Sequence, residues 1–440
     1  MSSWLERWEP ENKEFWETTG RCIAWRTLAV TTVALVVSFA TWFTMSAVVV
    51  RLPGVGFQFS TMQLFWLTAM PGLAGGTLRI LHTFLIPIFG TRAVITCATV
   101  LKLIPCVGLG LAVMNPDTPF WLFLVLAFTA GFGGGDFSSF MPSTSLFFPK
   151  RLQGTALGIQ AGVGNFGVSV AQFLTPWIIT APVLGSWAGA PQTFVKGETH
   201  QEIWLQNALF CYIPVLLILT VCAWVFLRSV PVRASFRQQL DIFGNKHTWL
   251  MTSLYIMTFG SFSGFSATFP MLIKEVYGKF PDAPDPLVFA FWGPLVGSTI
   301  RVISGPPSDK FGGAVITALS AVGLFACSLG VTWFTSPEST ASFPYFVALM
   351  LGIFFFSGIG NASTFRQIPC IFEPRQAGGV LGWTAAIAAY GPFFFSLLIG
   401  WVITRTGSPN LFFYGAALFY VVNFLINGYY YLRPGCEKPC

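Results

Sequence analysis

Long apolar runs separated by short polar links organise the whole chain. A run of about 20 apolar residues is enough to span the hydrocarbon core of a bilayer. By this criterion the pattern predicts an all-α membrane protein with 12 transmembrane helices. The predicted spans start near Thr27, Thr61, Ala93, Phe120, Thr155, Trp204, Thr248, Pro286, Ala314, Phe343, Gly378 and Asn410.

The longest polar connection divides the predicted spans into two groups of six. It covers residues 229–247 and carries Arg233, Arg237 and Lys246. The predicted organisation is an N-terminal segment (1–26), a six-helix bundle (27–228), this linker (229–247), a second six-helix bundle (248–432) and a tail (433–440). Most of the 24 Lys and Arg residues fall in the segments on the side of the linker. The positive-inside rule therefore predicts that both termini are cytoplasmic.

Composition excludes several classes of function. With 54% hydrophobic and 9% charged residues, the chain lies outside the range of soluble globular proteins. The net charge of +7 is spread over short loops, so we expect no nucleic-acid partner. Neither the cysteines nor the histidines have metal-ligand spacing, and we find no nucleophile triad and no phosphate loop. We therefore expect no metal, no cofactor and no enzymatic activity.

An internal repeat relates the two halves. The motif G-x-G-D-x-S-S-F, ending at Phe140, recurs as G-x-G-N-x-S-T-F, ending at Phe365. Arg79 and Arg301 lie at matching places in the second and eighth predicted spans. Parallel six-helix halves with a site at their interface are the arrangement of alternating-access transporters. Because a charged residue at the bilayer centre costs at least about 2.5–3.5 kcal/mol, the two arginines predict an anion site shared between the halves.

Several of these motifs resemble those of the nitrate/nitrite porters, the NarK-like branch of the major facilitator superfamily. They are GIQAGVGNFGVSVAQ around Asn165, AMPGLAGGTLR ending at Arg79, and WGPLVGSTIR ending at Arg301. The resemblance extends over essentially all the predicted spans and implies the two-bundle fold of that superfamily. A second glycine-rich signature is only partly present, with Ala388 and Pro392 where glycines are expected.

A further motif follows the eighth predicted span. It is similar to the inter-helix loop of the superfamily, and its matching residues are Gly305, Asp309, Lys310 and Gly313. The counterpart in the first half, around Gly90, is degenerate and lacks the acid.

The resemblance implies the residues of the anion site. Arg79 and Arg301 would hold a planar anion and Asn165 would hydrogen-bond it, because guanidinium forks suit a trigonal oxyanion. The aromatic residues implied to line the site are Phe39, Phe137, Tyr255, Phe259 and Phe365. Nitrate and nitrite are the expected substrates, and we expect a monomer in the cell inner (plasma) membrane. Packing between helices is the alternative role for the span-five glycines and for any one phenylalanine.

Charges beyond the arginine pair raise the question of coupling. Asp136 is either a counter-charge to Arg366, to Lys102 or to an arginine of the site, or a proton carrier. His82 and Arg366 are further candidates for proton coupling. Nitrate uptake against a negative interior costs about 2.3 kcal/mol per 100 mV. We therefore predict proton-coupled nitrate uptake by alternating access. The alternatives are electroneutral nitrate/nitrite exchange and, more distantly, a passive anion channel.

Overall fold

Long helices dominate the computed structural model, which describes residues 4–231 and 241–440. The helices are α1 Lys13–Val48, α2 Thr61–His82, α3 Leu85–Ala112, α4 Phe120–Phe147, α5 Lys150–Ile178, α6 Asn207–Phe226, α7 Lys246–Tyr277, α8 Pro286–Ile303, α9 Gly313–Thr332, α10 Thr340–Ile371, α11 Gln376–Thr406 and α12 Asn410–Leu432. In the described ranges, 11 of them are long and apolar enough to cross a membrane. The predicted all-α membrane fold is confirmed.

Helix α5 is the remaining predicted span. It has 29 residues, which is long enough to cross a bilayer. Its apolar sequence, however, is interrupted by several glycines and by polar residues such as Gln160, Asn165 and Gln172. All three of these polar side chains are buried inside the protein. A membrane helix can carry such residues when they face its neighbours, so α5 fits the predicted count of 12 spans.

The N-terminal helix starts earlier than the predicted first span. The side chain of Asn12 accepts hydrogen bonds from the backbone N–H groups of Glu14 and Phe15, which caps the first turn. Helix α1 therefore takes in about half of the predicted N-terminal segment. The middle of the predicted linker, with Arg233 and Arg237, lies outside the described residues.

A β-hairpin between α5 and α6 is absent from the sequence-based prediction. Strand β1 (Gln192–Lys196) pairs antiparallel with β2 (Thr199–Ile203). Gly197 in the turn has a φ of 59°, a conformation that glycine adopts without steric cost. We call the end of the protein that carries this hairpin the hairpin face. The opposite end, where α6 ends and α7 begins, is the linker face.

The internal repeat is also visible in the backbone. Gly90 within α3 has φ 77° and ψ 161°, and Gly312, which precedes α9, has φ 92° and ψ 140°. These glycines are separated by the same number of residues as Arg79 and Arg301. The predicted inter-helix loop is itself mostly helical, over Gly305–Phe311, and turns sharply at Gly312.

Glycines bring the two halves together along two pairs of helices. Where α2 meets α11, a Cβ on Gly72 would lie 2.5 Å from the backbone nitrogen of Phe393. Where α5 meets α8, a Cβ on Gly162 would lie 2.6 Å from the side chain of Val302. Because real Cβ atoms do not approach other atoms so closely, a side chain at either position would push the halves apart. Gly162, one of the span-five glycines, has the packing role that the sequence left open for them.

Polar contacts join the two halves at the hairpin face. At the hairpin face, Arg51 forms an ion pair with Asp285 at 2.5 Å, and Lys196 donates to the carbonyl oxygen of Ala283 at 3.0 Å. Towards the linker face, a Cβ on Gly158 of α5 would have no neighbouring atom within 4 Å. Two polar contacts therefore join the halves at the hairpin face, and α5 has open space beside Gly158 towards the linker face.

Candidate anion site

Arg79 is fully buried and is fixed by backbone carbonyl groups from both halves. Its Nε donates to the carbonyl oxygen of Gly134 on α4, and its Nη1 donates to that of Ala385 on α11, each at 2.8 Å. Its Nη2 is buried and has no hydrogen-bond partner among the described residues. The orientation of the guanidinium is therefore set by the protein, while one nitrogen remains available to a ligand.

Aromatic rings surround this guanidinium. Its Cζ lies 4.8 Å from the ring centre of Phe137, 5.1 Å from that of Phe259 and 5.4 Å from that of Trp42, with Phe39 at 6.0 Å. Phe259 belongs to α7, so an aromatic ring of the second half covers the arginine of the first. Ring faces stabilise a cation at these distances and keep water away from it.

Trp42 is the member of this group that the sequence analysis missed. It lies one turn after Phe39 on α1, stacks on that ring at 5.5 Å and donates its Nε1–H to the carbonyl oxygen of Pro71 at 2.8 Å. The one available signal was its spacing of three residues from Phe39, which places both rings on one face of a helix. That signal does not distinguish a site residue from a packing residue.

Arg301 lies across the interface on α8 and is 7% exposed. Its Cζ is 5.4 Å from the ring centre of Phe365, and it interacts with the buried hydroxyl of Tyr255. Its Nη1 has no hydrogen-bond partner in the described ranges. Tyr255 also stacks on Phe259, the ring that covers Arg79, with the ring centres 5.6 Å apart.

The backbone of α7 changes its winding at this place. A π-helical turn covers Ile256–Gly260, directly after Tyr255, and includes Phe259. Such a turn shifts the register of side chains on either side of it and often occurs at functional sites. Here it presents two stacked rings to the two arginines.

Asn165 on α5 carries both an unpaired donor and an unpaired acceptor. Its side chain is 1% exposed, and neither Nδ2 nor Oδ1 has a hydrogen-bond partner among the residues that the structure describes. Gly162, one turn earlier, packs against Val302, the residue that follows Arg301. Asn165 therefore lies on the part of α5 that faces α8 near this arginine. Burial of an unpaired amide is costly, which favours a polar ligand beside it.

The arrangement suits a small anion. No carboxylate in the described parts of the chain forms an ion pair with Arg79 or Arg301. Their free nitrogens and the amide of Asn165 are donors, and the surrounding aromatic rings strengthen such charge-assisted bonds by excluding water. All the residues implied to bind substrate are buried or partly buried on helices α1, α2, α4, α5, α7, α8 and α10.

Asp136 belongs to a separate buried cluster next to the site. Its Oδ2 accepts from Lys102 Nζ on α3 and from Ser38 Oγ on α1, the latter at 2.6 Å. His82 Nδ1 lies 3.9 Å from the other carboxylate oxygen and hydrogen-bonds Ser139 Oγ at 3.0 Å. Of the counter-charges that the sequence left open, the structure therefore selects Lys102.

Arg366 does not pair with Asp136. It bonds instead to Asp309 in the inter-helix motif, with its side chain 43% exposed. The reason is its place near the end of α10, one turn before Cys370 and close to the linker face. The interpretation that Arg366 neutralises Asp136 is wrong, and Asp309 of the predicted inter-helix motif is the residue that holds this arginine.

Two helical halves with a buried site at their interface are typical of membrane transporters, and comparison with known proteins agrees. The model of the Major Facilitator Superfamily matches residues 30–365. A solved bacterial homologue of the human lysosomal transporter Spinster aligns with a TM-score of 0.67, over 92% of this chain and 97% of that chain. At 14% sequence identity this likeness shows a common fold.

Two relatives match along nearly the whole chain. One is the probable nitrate/nitrite antiporter NarK2 of Thermus thermophilus, 63% identical over 100% of this chain and 98% of the relative. The other is the nitrate/nitrite transporter NarU of Escherichia coli (strain K12), 39% identical over 98% and 96% of the two chains. The chain belongs to the Major Facilitator Superfamily and, within it, to the NarK-like nitrate/nitrite porters. It is a transporter and not an enzyme.

The Asp136–Lys102 pair generates a prediction about stability. Asp136→Asn and Lys102→Met should each lower stability by about 3–5 kcal/mol, because each leaves one buried charge unpaired. The double variant should regain most of the loss, since both charges are then gone. Thermal unfolding of the purified variants in detergent measures this difference. If the losses of stability simply added in the double variant, the two residues would not act as a pair. Arg366→Gln is the control, and it should restore no stability to Asp136→Asn.

Proposed function

We propose that the protein exchanges nitrate for nitrite by alternating access. The observation that carries this proposal is the pair of buried arginines, one from each half, without a carboxylate partner in the described ranges. Both relatives are named for nitrate and nitrite, and the Thermus relative is named as a probable antiporter. Both anions are small, planar and singly charged, which suits two guanidinium groups and one amide.

The charge of the site favours exchange. Without an anion, two buried positive charges repel each other and are poorly solvated, so closing the empty site is costly. One bound anion removes part of this repulsion. The two halves should therefore rearrange to expose the site at the opposite face more easily when an anion is bound than when the site is empty. Swapping one singly charged anion for another also moves no net charge across the membrane, so the electrical cost of uptake disappears.

The contacts between the halves at the hairpin face favour alternating access over an open pore. Arg51 and Asp285 come from opposite halves, as do Lys196 and Ala283, and these contacts join the halves at this face. To release substrate on that side, the halves must separate there. A passive anion channel would need a route that is open at both faces at once.

We infer the orientation in the membrane from the distribution of charge. We place the protein as a monomer in the inner (plasma) membrane, with the linker face and both termini in the cytoplasm. The positive-inside rule supports this orientation, because most Lys and Arg residues lie on the side of the linker.

Proton-coupled nitrate uptake is the second candidate. The observation in its favour is that His82 and Asp136 lie 3.9 Å apart, close to Arg79. However, the carboxylate of Asp136 is already held by Lys102 and Ser38, which gives it a structural role that needs no transfer of a proton. For this reason we place exchange ahead of proton coupling.

The geometry of the two guanidiniums generates a prediction for binding. Arg79→Lys and Arg301→Lys should each weaken nitrate binding by about 10- to 100-fold, the equivalent of one lost hydrogen bond to a charged group. Lysine keeps the charge but has no planar fork, and at position 79 it cannot reach two carbonyl groups and an anion together. Nitrate titration of the purified variants measures the change. Arg366→Lys, outside the site, is the control and should bind nitrate with the affinity of the unmodified chain. If Arg79→Lys or Arg301→Lys also bound nitrate with that affinity, the arginine concerned would not belong to the site.

Transport into proteoliposomes separates the candidate functions. We expect rapid nitrate uptake into vesicles loaded with nitrite, little uptake into vesicles without it, and no accumulation from an inward proton gradient alone. Accumulation driven by the proton gradient without internal nitrite would contradict exchange. If Asp136→Asn then lost this accumulation but kept counterflow, Asp136 would be the proton carrier. Steady nitrate current without any counter-anion would indicate a channel.

A further inference from the structure

Four residues of α10 lie on one face of the helix, at the spacing that aligns side chains over successive turns. They are Phe354, Gly358, Asn361 and Phe365, and we call them the α10 stripe. Asn361 is the one polar member of the stripe and is 1% exposed. The contacts of the other three members show which way the stripe faces.

Gly358 places the α10 stripe against α8. A Cβ on this glycine would lie 2.5 Å from the carbonyl oxygen of Gly297. Both helices run towards the linker face, where an ion pair joins the segment after α8 to the end of α10. One turn further along each helix come Asn361 on α10 and Arg301 on α8. The amide and the guanidinium-bearing residue therefore start from about the same depth in the bundle.

Aromatic contacts with α7 flank Asn361 on both sides. Phe365, one turn after it, has its ring centre 5.5 Å from that of Tyr255 on α7 and 5.4 Å from Cζ of the α8 arginine. Phe354, two turns before it, has its ring centre 6.1 Å from that of Phe262 on α7. Residues of one stripe point the same way, so the amide is directed into the cleft between α7 and α8 that contains this arginine.

The amide in the stripe has no hydrogen-bond partner for either of its polar atoms in the described parts of the chain. Hydroxyl groups on other faces of α10 do have partners: Thr364 bonds to Thr258 at 3.2 Å and Ser363 bonds to Thr317 at 2.7 Å. Nη1 of Arg301, which faces the same cleft, is also unpaired among the described residues. Because leaving buried polar groups unpaired is costly, the cleft favours an acceptor that both donors can share.

We propose that Asn361 is a further anion-binding residue, whose amide N–H group donates to an oxygen of the nitrate held at Arg301. This inference rests on the proposed function, because it requires nitrate between the two halves. The first half then supplies Arg79 with Asn165, and the second half supplies Arg301 with Asn361. Each half contributes one guanidinium and one buried amide to the same anion.

An uncharged amide suits this place better than the acid of the first half. Asn361 has the motif position of Asp136, whose charge is balanced by Lys102. An acid at position 361 would pair with Arg301 and compete with the anion for it. The amide leaves the cation free and adds a donor of its own.

Two measurements on the same variants test the proposal. Asn361→Leu and Asn361→Ala should each weaken nitrate binding by about 10- to 100-fold in titrations of the purified protein, because one bond to a charged ligand is lost. Without nitrate, Asn361→Leu should unfold at a temperature no lower than that of the unmodified chain, since it removes a polar group that has no partner.

Gln367→Leu is the matched control. It removes another buried amide of α10, which donates to Asn427 Oδ1 at 3.0 Å. This variant should bind nitrate with the affinity of the unmodified chain and should unfold at a lower temperature, because it leaves a buried acceptor unpaired.

Three results would overturn the inference. If both Asn361 variants kept the full nitrate affinity while Arg301→Lys lost affinity, the anion site would stand without this amide. If Asn361→Leu lowered the unfolding temperature as much as Gln367→Leu, or if neither Asn361 variant folded, the amide would have a structural role instead. Full nitrate affinity in Arg301→Lys, whatever the Asn361 variants did, would remove the proposed function and this inference with it.

Discussion

The burial of two guanidinium groups without carboxylate partners in the described ranges is the constraint on which the structure depends. A charge near the bilayer centre is costly, and most intramembrane charges pair with an opposite charge. Here Arg79 has two backbone carbonyls and four ring faces, and Arg301 has Tyr255 and Phe365. These contacts orient both cations but leave their charge uncompensated. In the proposed function, an anion between the halves compensates it.

The packing of the first half maintains this orientation. Gly134, whose carbonyl accepts from Arg79, lies two residues before Asp136 on α4. Asp136 in turn binds Lys102 of α3 and Ser38 of α1, so one carboxylate joins three helices. In this account the buried ion pair acts as a positioning group: it holds α4 against α1 and α3, and thereby holds the carbonyl that orients Arg79. This role explains a charged cluster close to the site without giving it a direct contact with substrate.

Several residues of the candidate site could be predicted because they lie in short sequence motifs. Arg79, Arg301 and Asn165 each lie in a run that resembles the nitrate/nitrite porters, and the repeat predicted one site shared between the two halves. The partner of Asp136 could not be chosen in this way. Lys102 and Arg366 are on other helices, and which one reaches the carboxylate depends on the rotation and depth of each helix in the bundle.

The same reasoning explains the elements that were missed. Trp42 has the same spacing on α1 as an ordinary packing residue, so only the contact with Arg79 distinguishes it. The hairpin β1–β2 is short and mostly polar, and such strands give a weak signal beside long apolar helices. The early start of α1 depends on the cap at Asn12, because the charged residues that follow it do not resemble a membrane span.

A structure determined with nitrate bound tests the central claim most directly. The account predicts density for a planar anion between the guanidinium groups of Arg79 and Arg301, within hydrogen-bond distance of their free nitrogens and of Asn165, and bordered by Phe137 and Phe259. Nitrate bound elsewhere, with the two guanidiniums still unpaired, would contradict it.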